Sequence, residues 1–85
     1  MGDLEAQELA QLGIKKIEDA VVGLLTRHSD GMAIDAITSG LGLGTDLPDE
    51  KRHLITVAIL DLLVHSGRIL RDESRGVYLD NPDKI

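Results

Sequence analysis

The sequence predicts a small α+β domain, with helices leading and a β-hairpin closing the chain. Three observations carry this. Ile14, Ile17, Val21, Leu24 and Leu25 recur at helical spacing over residues 14–28. Between Leu54 and Val64 only Thr56 and Asp61 are polar. After Gly67, the apolar runs Ile69-Leu70 and Val77-Tyr78-Leu79 flank the polar tip Asp72-Glu73-Ser74-Arg75-Gly76, the pattern of a hairpin.

At 85 residues the chain is expected to form one small domain with a single core. Phe and Trp are absent and there is one Tyr, so Leu, Ile, Val and Ala must build that core. The absence of Cys excludes disulfides, thiolate zinc sites and cysteine nucleophiles. No apolar run approaches the ~20 residues that span a bilayer. The acidic start Met1-Gly2-Asp3-Leu4-Glu5 has no signal-peptide pattern, so a cytoplasmic location away from membranes is the expectation. The net charge of −6 argues against holding nucleic acid by bulk electrostatics. Residues 1–44 carry seven acids against three bases (Lys15, Lys16, Arg27). Residues 45–80 carry seven acids against five bases, three of them arginines in or beside the hairpin.

Residues 3–12 are good helix formers, and Gly13 is expected to interrupt them. At about 100° per residue, Leu9 and Leu12 fall roughly opposite the stripe of residues 14–28. Either the chain bends at Gly13, or the first segment packs on something else, a second copy being the simplest candidate, or it is a frayed extension. The expected division is therefore an N-terminal helical extension (1–13), a domain (14–80) and a tail (81–85). Ser29-Asp30-Gly31 reads as a turn. A short helix follows with Ile34, Ile37 and Leu41 on one side, Asp35 near its start and Gly40 near its end. The glycines at 40, 42 and 44 are not followed by Gly-Lys-Ser/Thr and no clear strand precedes them, so they read as a flexible connection and not a phosphate loop.

The third helix is expected to open at Pro48, with Asp49 and Glu50 at the positive end of its dipole, and to stop at His65-Ser66-Gly67. Its apolar residues point in nearly every direction, as in a helix covered on most sides. The excess is either core or a subunit interface. The second option makes a homodimer through Leu9, Leu12 and Leu62. Asp at Leu62 or Leu63 is expected to be severe on either view.

The order of helix, glycine, strand, tip and return strand, carried by Leu60, Leu63, Gly67, Ile69, Arg71, Gly76, Tyr78 and Leu79, resembles the second half of a winged helix-turn-helix domain. The resemblance implies three helices plus a wing sheet of two or three antiparallel strands, the third strand coming from Met32-Ala33-Ile34. From Leu47-Pro48 to Arg75-Gly76-Val77-Tyr78-Leu79 the chain also resembles the N-terminal winged-helix modules of some modification-dependent restriction endonucleases. The nuclease part of those enzymes is not among these residues. In DNA-binding winged helices the start of the third helix enters the major groove, which here implies contacts from Lys51, Arg52 and Thr56, with Arg71 and Arg75 reaching from the wing.

The same residues admit a plainer reading. Asp49 and Glu50 repel phosphate, Asp49 and His53 are placed to pair within one helix, and Asp72 and Glu73 dilute the wing's field. The expectation taken forward is a DNA-binding regulator. The alternative is an acidic, dimeric winged helix that binds only protein. No enzyme, cofactor or metal site is expected. No Ser/His/Asp constellation is evident, and His28, His53 and His65 lack metal-pair spacing. Asp61 and His65 read as a helix-end pair.

Overall fold

The computed structural model describes residues 2–83. The chain forms α1 (Leu4–Arg27), α2 (Ile34–Leu41), a 3₁₀ turn (Asp49–Lys51), α3 (Leu54–His65), β1 (Ile69–Asp72) and β2 (Val77–Asp80). This is three helices and a two-stranded antiparallel sheet, an α+β layout in winged-helix order. Strand register pairs Ile69 with Asp80, Leu70 with Leu79, Arg71 with Tyr78 and Asp72 with Val77. Met32 adds a single bridge to Tyr78, with backbone N–H···O distances of 2.9 and 2.8 Å in the two directions. The third strand implied by the resemblance is thus one residue long, and Ile34 already belongs to α2.

Asp3 caps α1, its carboxylate accepting from the Ala6 N–H at 3.1 Å. The helix then runs through Gly13 without a break. A mid-helix glycine weakens a helix by about 1 kcal/mol relative to alanine, too little to stop a twenty-four-residue helix that opens on good formers and packs Val21 and Leu25 into the core. The expected interruption at Gly13 is not present in the backbone. Only the C-terminal half of α1 reaches the core, through Val21 and Leu25. From Leu4 to Lys16 every residue except Gly13 is exposed. The radius of gyration is 13.6 Å, against the ~12 Å of a compact chain this long, as a projecting helix requires.

Gly31 turns the chain out of α1 at φ +89°, and a Cβ there would stand 2.8 Å from Val77 Cγ2 and 3.1 Å from the Tyr78 carbonyl. Glycine is therefore needed both for the turn and for the approach of the hairpin. α2 ends at Leu41, with Gly40 in its last turn as expected and Gly42 as the left-handed cap at φ +69°.

The helix expected from Pro48 is split. The 3₁₀ turn holds Asp49–Lys51, the backbone leaves the helical region at His53, and α3 begins at Leu54. The side chains at the break are held by α2: Arg52 donates to Ser39 Oγ at 2.7 Å, and the His53 ring bonds to Asp35 and Thr38. The core consists of Val21, Leu25, Met32, Ile37, Ile59, Leu60, Leu63 and Ile69, with Tyr78 packed against it.

α3 is apolar all round but only one side is covered. Thr56, Ile59, Leu60 and Leu63 face inward. Leu62 is 49% exposed beside a fully buried Leu63, so within one chain only an Asp at Leu63 would bury its charge. Leu63→Ala is expected to lower the unfolding free energy by ~2–5 kcal/mol. Leu62→Ala should stay within about 0.5 kcal/mol. Urea unfolding of the two variants reads the difference, and equal losses would contradict this packing.

Candidate protein-binding face

Residues of α2 and α3 with i, i+3 spacing build a polar contact between the two helices. Asp35 and Thr38 lie on one face of α2, and His53 and Thr56 at the start of α3. The His53 ring is 2.7 Å from Asp35 Oδ1 through Nε2 and 2.7 Å from Thr38 Oγ1 through Nδ1. The Thr38 hydroxyl donates onward to Thr56 Oγ1 at 2.9 Å. Both threonines are fully buried, and among the described residues no buried side-chain polar atom lacks a partner. Asp35 sits at the solvent end, 78% exposed, where its contact with the ring adds little. The acid–imidazole–hydroxyl order resembles a hydrolase relay, but Thr38 Oγ1 is sealed inside the domain and no substrate reaches it. Its role is to join two helices.

Gly44 supports the same junction. At φ +74° it lies so close to the Arg52 carbonyl that a Cβ would collide with it. The glycine connection is therefore a fitted turn, not a loose one.

This arrangement places the expected DNA contacts as follows. Thr56 is buried and bonded to Thr38, which corrects its assignment as a groove contact. Lys51 and Arg52 lie in and after the 3₁₀ turn rather than on α3, with Arg52 engaged by Ser39. Arg71 lies with its guanidinium 5.9 Å from the ring centroid of its cross-strand partner Tyr78. Arg75 donates from Nε to Asp72 Oδ2 at 2.8 Å, and Arg68 reaches back to Asp19 on α1 at 3.2 Å. Asp49 does not pair with His53, whose ring is taken by Asp35. Asp61 and His65 share the outer side of α3, but no ion pair joins them among the described residues.

The outer face of α3 shows Leu54, Ile55, Val57 and Leu62, from 40% to 58% exposed. Its one acid is Asp61 and its one base His65. Beside it an open groove of about 430 Å³ separates α3 from the hairpin, lined by Ile34, Val57, Asp61, Arg71, Glu73, Gly76 and Tyr78. Two acids against one arginine leave the groove slightly negative. Of the expected dimer residues, Leu62 lies on this face, whereas Leu9 and Leu12 lie on the projecting part of α1. At the chain's end, Asn81 donates from Nδ2 to the Gly67 carbonyl at 2.7 Å, so the tail expected at 81–85 begins by closing the hairpin; residues 84–85 lie outside the described residues.

Among the described residues no group of three or more His, Asp or Glu is gathered to hold a metal ion, and no helix is long and apolar enough to cross a membrane. No family model, curated protein or solved structure matches this chain.

The hairpin tip has a measurable electrostatic signature. The Arg75 guanidinium, the Ser74 hydroxyl and the Arg75 N–H all bond to Asp72, holding its carboxyl at about 2, below the ordinary 3.8. A depressed pKa stabilises the fold above the ordinary value, and the contribution is lost as pH falls through about 2. Carboxyl NMR titration should therefore give Asp72 a midpoint near 2. Arg75→Ala should move that midpoint up toward ordinary carboxylates. An unchanged midpoint would show that Arg75 is free for other partners.

Proposed function

We propose that this chain is an acidic winged-helix module that binds protein, docking an apolar segment against the outer face of α3, and that it does not read DNA. The observation that carries this is the composition of that face: Leu54, Ile55, Val57 and Leu62 exposed, with Asp61 among them. In a DNA-reading winged helix this is the surface that meets base edges and phosphates, and base recognition needs donors and acceptors where this chain has methyl groups. Asp61 and Glu73 would repel a backbone phosphate, and Arg75 and Arg68 are already neutralised by Asp72 and Asp19. The net charge of −6 supports the same reading. A side-by-side cluster of exposed apolar residues rimmed by charge is the usual form of a protein interface. The complementary segment is apolar with a basic residue to meet Asp61 and Glu73, in the manner of a helix laid in a groove.

The test is fluorescence anisotropy of a labelled mixed-sequence duplex titrated with the protein across a salt series. No binding is expected at the lowest salt. Binding that weakens steeply as salt rises and falls with Arg71→Ala and Arg75→Ala would sink the proposal, since the slope counts phosphate contacts. The positive counterpart is an apolar fluorescent dye, expected to bind the wild type and to lose signal with Leu54→Lys or Leu62→Glu.

A further inference from the structure

We infer that the projecting half of α1 pairs with its counterpart in a second copy of the chain, as an antiparallel two-fold helix pair. The inference goes beyond the docking face of α3 and uses different residues, so either can fail alone.

The arm needs a cover. Leu4–Lys16 stands off the core, with Leu9 63% and Leu12 48% exposed. A bare helix of this length is marginal in water even with good formers. Its sequence contains a seam suited to one occupant. Glu5, Leu9, Leu12 and Lys16 follow one another at spacings of four, three and four. At about 100° per residue they fall within roughly 60° of one another around the helix. The centre of this seam lies roughly 130° from the stripe that α1 buries through Ile17, Val21, Leu24 and Leu25.

Charge fixes the orientation. The seam is acidic at one end and basic at the other, with leucines between. In an antiparallel two-fold pair, Leu9 of one copy meets Leu12 of the other. The same register brings Glu5 of each copy to Lys16 of the other. All four contacts close together, because the acid and the base lie equally far outside the two leucines. A parallel pair would set Glu5 on Glu5 and Lys16 on Lys16. Neither Glu5 nor Lys16 is used in an ion pair of its own chain among the described residues. A two-fold interface of this kind is self-complementary and closed, so it gives a dimer and not a filament. The seam is an antiparallel version of the a/d pattern, in which ends of opposite charge select the orientation.

The test is the mass of the full chain by light scattering over a concentration series, with circular dichroism to confirm that each variant keeps its helix content. The wild type is expected to be a dimer. Leu9→Glu, at an exposed position, is expected to raise the dissociation constant on the order of a hundredfold, since the change appears twice in the dimer. Glu5→Lys alone and Lys16→Glu alone are each expected to weaken the dimer about tenfold through two like-charge contacts. An equal mixture of these two variants is expected to recover dimer mass. In the mixed pair one chain brings a base at both ends of its seam and the other an acid at both ends, so both end contacts join opposite charges. Leu62→Glu, on α3, should leave the mass unchanged. A monomeric wild type overturns the inference. So does a dimer that survives Leu9→Glu, one indifferent to both charge reversals, or one lost with Leu62→Glu, which would place self-association on α3.

Discussion

The hydrogen-bonded pair Thr38–Thr56, extended by His53 to Asp35, is the contact on which the rest of this fold turns. α3 carries apolar side chains in nearly every direction, so hydrophobic burial alone does not decide which side it turns inward. A buried hydroxyl without a partner costs about 1–3 kcal/mol. That is a large share of the ~4–13 kcal/mol that holds a domain of this size. Thr56 must therefore face Thr38. Once it does, Ile59, Leu60 and Leu63 enter the core and Leu54, Ile55, Val57 and Leu62 are left outside. The polar contact selects among apolar faces that hydrophobicity cannot rank.

The same contact supports the proposal that the start of α3 does not read nucleic acid. Of the groups that would face a duplex, all but Lys51 are used internally. Arg52 bonds to Ser39, His53 bridges Asp35 and Thr38, and Thr56 is sealed in. The hairpin repeats the pattern, with Arg75 on Asp72, Arg71 over Tyr78 and Arg68 on Asp19. These polar groups hold the fold together, and the outer face of α3 is left apolar. That division is what the proposed docking on α3 would use.

The fold was legible in the sequence where periodicity and turn chemistry agree. The stripe Ile17, Val21, Leu24 and Leu25, the stop at Gly67 and the hairpin about Arg75-Gly76 appear as expected, whereas Ile14, expected in the same stripe, is 43% exposed. Three features were not legible, each for a physical reason. Gly13 does not break α1, because one glycine's propensity is outweighed by its neighbours. The helix does not begin at Pro48, because Arg52 and His53 are held by side chains on α2 that no local pattern announces. Thr56 reads as a surface residue near a helix start until its partner on α2 is known. A signal for that partner was present: Asp35/Thr38 and His53/Thr56 share i, i+3 spacing on consecutive helices. Spacing of this kind gives matched polar faces, and matched polar faces on adjacent helices can meet.

The most direct measurement is a double-mutant cycle on Thr38→Val and Thr56→Val, read by urea unfolding. Thr38→Val leaves the buried Thr56 hydroxyl without its partner and is expected to lower stability by ~1–3 kcal/mol, whereas Thr56→Val leaves Thr38 still bonded to His53 and should cost less. The double change removes both hydroxyls together and should lose clearly less than the sum, with a coupling of at least ~0.5 kcal/mol. Thr38→Val within about 0.5 kcal/mol of wild type, or losses that simply add, would contradict the claim that this pair sets the face α3 presents.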